Sequence, residues 1–311
     1  MFIYPQLNSP TENISFHDQF GFRPTGSTTA AIITVLHLVT EMLEDNDFVH
    51  VFSLDFSKAF DSVKHSSLLE KMAKLNLPDY IFNWFVNHFC DYQQCSKYMG
   101  SVSTLLPINA SVIQGSAAGP ACFLITASDL HPLHNENKLN KYADDLYLII
   151  PASTSHTGQE EIEHITKWAS ANNLKLNQDK SSETIFTKSQ SKQRESFKIP
   201  PPLPNIVRVN SLKILGVTIQ NNFKFTDHVS NKLQDCTKSL YAIRTLKSHG
   251  LPISEQQHLF STLTLSSLLY AAPAWWGFVG AEEKIRLDSF LNKARKTDFY
   301  PKDYPSISSW L

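Results

Sequence analysis

No stretch of this 311-residue chain approaches eighteen consecutive apolar residues, so the sequence offers no transmembrane helix. Its opening, MFIYPQLNSP, has no basic segment followed by an apolar core, which argues against a secretory signal. Cysteine is scarce: Cys90, Cys95, Cys122 and Cys236 form no CxxC pair, so neither a zinc site nor a disulfide framework is indicated. That suits a reducing compartment. With no signal and no membrane segment, the expected location is nuclear and cytoplasmic. Internal repeats are absent. What remains is ordinary globular material, 42% hydrophobic, long enough for one large domain or two smaller ones.

Strong net charge is missing too, at −1 overall, but the charge is unevenly spread. Residues 1–174 hold 9 Lys and Arg against 18 Asp and Glu, whereas residues 175–250 hold 13 against 5. The last segment, 251–311, is neutral with 6 of each. An acidic half followed by a basic stretch suits a metal-binding region joined to a surface that grips phosphates; a dipolar globular protein accounts for the same numbers.

Hydrophobic spacing predicts a helix over Thr25–Leu43, with Ser27-Thr28-Thr29 as cap and Ile32, Val35, Leu36, Val39 and Leu43 on one face. Phe48–Leu54 reads as a buried strand that delivers Asp55 to its end. Helices are expected at Ser66–Leu75, Tyr80–Phe89, Ala118–Leu130 and Glu160–Asn172, with short polar strands between Gln93 and Val112. Leu174–Leu176 and Thr184–Phe186 read as short strands. Lys198–Pro204 is a polyproline loop, better read as a rigid connector than as an SH3-type ligand. Val207-Arg208-Val209 and Lys213–Ile219 are expected to form a hairpin. Two long helices, Asp227–His249 and Ser254–Ala271, follow. Composition shifts from mixed to mostly helical near residue 222.

KYADDLYLII, residues 141–150, reads as strand, two-residue turn, strand, and it places Asp144 and Asp145 side by side among apolar neighbours. Two buried carboxylates raise each other's pKa unless something positive neutralises them, so either a turn exposes the pair to water or a cation sits there. With the pair at a hairpin tip and Asp55 at the end of a neighbouring strand, carboxylates 89 positions apart converge. Hard oxygen ligands of this kind, completed by water and phosphate, suit Mg²⁺. Two such ions can activate an attacking hydroxyl and stabilise a leaving pyrophosphate.

The neighbours of these acids form an ordered set. Gln19-Phe20-Gly21-Phe22-Arg23-Pro24 with Ser27-Thr28 precedes Leu54-Asp55-Phe56-Ser57-Lys58-Ala59-Phe60-Asp61. Val112-Ile113-Gln114-Gly115-Ser116-Ala117-Ala118-Gly119-Pro120 and Tyr142-Ala143-Asp144-Asp145 come next. Leu174-Lys175-Leu176-Asn177-Gln178-Asp179-Lys180 and Leu212-Lys213-Ile214-Leu215-Gly216-Val217 close the series. Over residues 19 to about 300 the chain resembles the reverse transcriptase domain of non-LTR (LINE-type) retrotransposons, most of all the jockey/CR1 group.

The resemblance implies an α+β right-hand polymerase: partial fingers over 1–47, a palm with an antiparallel sheet and packed helices over 48–222, and a helical thumb over 223–311. It implies Asp55, Asp144 and Asp145 as metal ligands for two Mg²⁺ ions, with Mn²⁺ as a substitute, and the Phe56 carbonyl assisting. Phe60 falls at the steric gate that excludes a ribose 2′-OH. Gln114 and Gly115 fall under the incoming nucleotide and template base, and Arg23 on the triphosphate. Lys180 falls where a lysine protonates or steadies the leaving pyrophosphate. Leu215 and Gly216 fall at the primer grip. The implied partners are an RNA template, a DNA primer or target, and deoxynucleoside triphosphates, with no membrane.

Three departures stand out. Gly26 occupies the place of the family's second arginine, and Ile113 that of the proline before Gln-Gly. Only eighteen residues stand before Gln19, so an N-terminally truncated copy is expected, lacking the early fingers and the endonuclease normally found in the same polypeptide. The competing reading is an inactive retrotransposon-derived fragment that at most binds nucleic acid; a group II intron or retron origin is the third. Ala272-Pro273-Ala274-Trp275-Trp276-Gly277 favours the LINE group by resemblance alone.

Overall fold

In the computed structural model the described residues are 16–187, 199–301 and 303–309. They fall into two units: residues 16–185 with 199–209, and residues 186–187 with the described residues from 210 onward.

The first unit begins with α1 (Thr28–Asp45), where Ser27 Oγ accepts from the Ala30 N–H at 3.0 Å and so caps the helix as its sequence anticipates. Its apolar face, Ile32, Val35, Leu36, Val39 and Leu43, is buried. β1 (Phe48–Leu54) follows, then α2 (Ala59–Ser62), α3 (His65–Met72) and α4 (Asp79–Phe89). Four two-residue strands come next: β2 (Gln93–Gln94), β3 (Lys97–Tyr98), β4 (Ser101–Val102) and β5 (Leu106–Pro107). They pair β2 with β5 and β3 with β4 as a small ribbon. The unit continues with α5 (Gly119–Thr126), β6 (Lys138–Tyr142), β7 (Asp145–Pro151), α6 (Gly158–Ala171), β8 (Ser182–Thr187, whose last two residues belong to the second unit) and β9 (Val207–Arg208).

Five strands form one sheet in the order β6-β7-β1-β8-β9. β7 lies antiparallel to both β6 and β1. Leu146 through Ile150 are all at most 2% exposed, which explains an apolar run without alternation: β7 is an interior strand covered on both faces. Each such side chain contributes roughly 1.5–3 kcal/mol of burial. The core joins Phe52 and Leu54 of β1 to Leu68, Met72, Phe85, Phe123, Ile125 and Ile165.

In the second unit, β10 (Ser211–Ile214) and β11 (Val217–Gln220) form a hairpin ahead of α7 (Thr226–Ser248), α8 (Ile253–Leu259), α9 (Ser266–Leu268), α10 (Ala272–Trp275) and α11 (Ala281–Lys296). Val229, Cys236, Leu240 and Ile243 line the buried face of α7.

Two sequence expectations are corrected. Val207-Arg208 does not pair with Lys213–Ile219; it joins β8 in parallel, and the hairpin is made within 211–220. The helix expected over Ser254–Ala271 is interrupted by wide π turns at Phe260–Leu265. These turns bury Phe260, Thr264 and Leu265 together, a packing gain that helical periodicity cannot anticipate. Of the polyproline loop, Lys198 lies outside the described residues.

Candidate active site

Leu54 pairs with Leu146 across β1 and β7, and Tyr142 pairs with Asp145 across β6 and β7. Asp55, one residue beyond β1, therefore reaches the same end of the sheet as Asp144 and Asp145. The turn is one residue earlier than a hairpin tipped by the two acids: Ala143 and Asp144 form it, and Asp145 is already the first residue of β7. Ala143 holds φ +55°, a left-handed conformation costing about 1–2 kcal/mol in a residue with a Cβ.

Asp144 and Asp145 are half-buried. Burial pushes the Asp144 carboxyl above the ordinary carboxylate range, and the charge of Asp55 adds to this. Asp145 is pushed up to about 6, first by burial and then by Asp144 and Asp55. Among the described residues the ion pair made by the trio joins Lys180 Nζ to Asp55 Oδ2 at 3.9 Å, with Lys180 72% exposed. Asn177 also holds Asp55: its backbone N–H donates to the Asp55 carbonyl at 2.7 Å and its Nδ2 to the same Oδ2 at 3.3 Å. The Phe56–Leu176 bridge and the Ser57 N–H to Lys175 carbonyl bond extend this pairing.

Two half-buried carboxylates whose ionisation is opposed, with Asp55 at the same end of the sheet, suit a divalent cation. Among the described residues no group of three or more His, Cys, Asp or Glu side chains could hold a metal by itself. Mg²⁺ does not require one, since it binds through one or two carboxylates and keeps water and phosphate as its other ligands. The donor set fits Mg²⁺ in an open site.

The raised acid pKa values carry a testable sign. A carboxyl whose folded pKa lies above its unfolded value binds protons better in the folded state, so stability falls as pH rises between about 4 and 6 and the penalty is complete above that. Without divalent cations, Asp145→Asn is expected to stabilise the chain by about 1–2 kcal/mol at pH 7, allowing for partial solvent access, and by much less at pH 4.5. Urea unfolding of both proteins at the two pH values measures this; an equal difference at both would remove the repulsion argument.

Phe60, half-buried, stacks on Phe123 (4.9 Å between centroids, 17°) and meets the edge of Phe22 at 6.3 Å. Phe56 is buried in the core beside Trp168. Gln114 and Gly115 are exposed, and Gly115 takes φ +83°, where a side chain would be strained. Arg23 donates from Nη1 to the carbonyls of Phe16 and Gln19, so its guanidinium clasps its own loop. At Gly26 any Cβ would fall 1.9 Å from the Phe20 carbonyl oxygen, so this backbone excludes the family's second arginine.

Leu215 and Gly216 lie in the second unit, as the two central residues of the β10–β11 turn, with φ +46° and +86°. Tyr270 Oη donates to the Leu215 carbonyl at 3.0 Å, and the Trp275 indole donates to the Tyr270 carbonyl at 3.0 Å. The Ala272–Gly277 segment thereby acquires a physical role, bracing the residue that holds this turn. Sequence reasoning named Gln19 and Asn177 within its motifs without giving them a role and passed over Tyr270, because a polar side chain looks the same in sequence whether it is solvated or braces a distant loop.

The fold is that of the right-hand polymerases. It resembles telomerase from Candida tropicalis, solved with the TWJ fragment of telomeric RNA, with TM-score 0.51 at 12% identity over 92% of this chain and 45% of that one. The sequence profile described as "Reverse transcriptase (RNA-dependent DNA polymerase)" matches residues 2–219, and the chain belongs to that family. Its relatives are polymerases of non-LTR retrotransposons. The probable RNA-directed DNA polymerase from transposon X-element of Drosophila melanogaster is 23% identical over 92% of this chain and 32% of its own length. That from mobile element jockey of the same species is 28% identical over 68% of this chain and 24% of its own. The chain thus spans about a third of the length of such relatives. Among the described residues no helix is long and apolar enough to cross a membrane.

Proposed function

We propose that this chain catalyses RNA-directed DNA synthesis, adding deoxynucleotides to a primer 3′-OH on an RNA template. The observation that carries this reading is the delivery of Asp55, Asp144 and Asp145 to one end of the sheet, in a chain of the reverse transcriptase family. Asp55, Asp144 and Asp145 would hold Mg²⁺, or Mn²⁺ in its place, with the Phe56 carbonyl assisting. When bound, two such ions supply a lowered pKa at the attacking hydroxyl and charge compensation at the leaving pyrophosphate.

The chain's own residues account for the rest. Asn177 fixes the Asp55 carboxylate, and Lys180, 3.9 Å from that carboxylate, would steady a departing pyrophosphate. Gln114 and Gly115 offer an exposed turn on which a base pair can rest. Leu215 and Gly216 would hold the primer strand. Exposed Lys213, Lys224, Lys238, Arg244 and Lys247 of the second unit would follow duplex phosphates. The palm then occupies 48–222, with fingers before it and the thumb after it. RNA template, DNA primer and deoxynucleotides are the proposed partners, and the endonuclease activity of whole elements lies outside this domain.

Phe60 is the proposed sugar gate. Phe60→Val is expected to raise ribonucleotide incorporation by roughly 10- to 100-fold relative to deoxynucleotide, read from single-nucleotide extension. Unchanged sugar discrimination would remove Phe60 from that role. One observation favours the competing reading of a silent nucleic-acid-binding domain: Arg23 is engaged by its own backbone. Extension of oligo(dT) on poly(rA) with Mg²⁺ decides between the two, and no extension at any protein concentration sinks the polymerase.

A further inference from the structure

We propose that Gln19 is a positioning residue for the catalytic turn, holding the Ala143 peptide so that Asp144 is presented in one orientation. This rests on the polymerase reading of the carboxylates and adds to it a residue 124 positions away from the turn.

Gln19 is 2% exposed, and its Oε1 accepts from the Ala143 N–H at 3.0 Å and from the Gly21 N–H at 2.9 Å. Both lone pairs of that oxygen are used, so the amide cannot rotate without stranding two donors. The segment is tied to β6 on either side of Gln19. Phe20 donates its N–H to the Lys141 carbonyl at 2.8 Å, and Lys141 donates its own to Asp18 at 2.7 Å. A Cβ at Gly21 would come within 2.5 Å of the Ala143 nitrogen, so only glycine permits so close an approach.

The object of this grip is a strained residue. Ala143 sits at φ +55° without being glycine, and such a conformation persists only where its surroundings over-determine it. Its peptide immediately precedes Asp144, so a shift there moves a carboxylate whose chemistry tolerates little displacement. The Gln-Phe-Gly of this segment is thereby explained apart from Arg23: one residue grips the turn, and the other makes room for it.

The test compares the full chain with Gln19→Met, which fills the space without an amide acceptor, and Gln19→Glu, which keeps an acceptor oxygen. Three quantities are read: Ala143 amide exchange by NMR, Mn²⁺ affinity by electron paramagnetic resonance, and kcat and KM for dTTP on poly(rA)/oligo(dT). In Gln19→Met, Ala143 exchange is expected to accelerate at least ~10-fold. Mn²⁺ affinity and kcat should fall by roughly 10- to 100-fold, with KM changed little. Gln19→Glu should recover most of each loss. Should Gln19→Met fail to unfold cooperatively, Gln19→Asn, one methylene short of Ala143, replaces it with the same expectations. Unaltered Ala143 exchange, or faster exchange with Mn²⁺ affinity retained, overturns the role of Gln19. A wild-type chain that extends no primer yet loses Mn²⁺ affinity in Gln19→Met supports Gln19 and sinks only the polymerase.

Discussion

Asp144→Asn is expected to lower templated primer extension by about three orders of magnitude while leaving the fold intact. The substitution keeps the shape of the turn residue, and the bonds that position Ala143 come from Gln19 and do not involve the Asp144 side chain. What it removes is a formal negative charge at the point where Asp55 and Asp145 also converge. Electrostatic stabilisation by bound divalent ions is worth several kcal/mol in reactions of this class, and each 1.36 kcal/mol is tenfold in rate, so losing about 4 kcal/mol gives about 10³. Relief of repulsion should leave the metal-free variant no less stable than the wild type. Extension on poly(rA)/oligo(dT), alongside thermal unfolding, measures both effects. Activity within tenfold of the wild type would show that Asp144 is no ligand.

Lys141→Ala should carry the largest stability loss, about 3–5 kcal/mol. Its ammonium group is 1% exposed, pairs with Asp18 at 3.0 Å and donates to the carbonyls of Ala127 and Leu130 at 3.0 Å each. Burial lowers the pKa of this lysine, and Asp18 opposes that shift. Deletion leaves a carboxylate that is only 18% exposed with His131 at 3.6 Å as its remaining partner, and takes a donor from two carbonyls. Because β6 leads into the Ala143-Asp144 turn, activity should fall with stability. Lys141→Met, which replaces the stem, should recover part of the packing and none of the pairing. Urea unfolding reads both; a loss under about 1 kcal/mol for Lys141→Ala would show that the pair is replaceable by water.

Much of the frame was legible in the sequence. Phe48–Leu54 is strand from the first residue to the last of the expected run, and α1 is capped by Ser27 as its spacing implies. The helices α3, α4, α6 and α7 fall within a few residues of their periodic patterns. Local pattern succeeds at such places because strand alternation, helical spacing and capping are decided by neighbours in the chain. The two acids within an apolar run likewise disclosed themselves, since like charges flanked by buried residues demand an explanation.

Other features depended on which distant groups meet. The sequence put the Asp144-Asp145 pair at the hairpin tip, and the pairing of Tyr142 with Asp145 moved the turn to 143–144. It placed Val207-Arg208 in the wrong hairpin, because a two-residue strand carries no mark of its partner. It drew one helix through Phe260–Leu265, where side-chain packing instead favours π turns. The roles of Gln19, Asn177 and Tyr270 became visible only as bonds to Ala143, Asp55 and Leu215. By itself the sequence determined the acids, the strands that carry them and the family they belong to. Tertiary structure alone decided how those acids are held, because a polar side chain acquires a definite partner only when folding brings one within hydrogen-bond reach and removes the competing water.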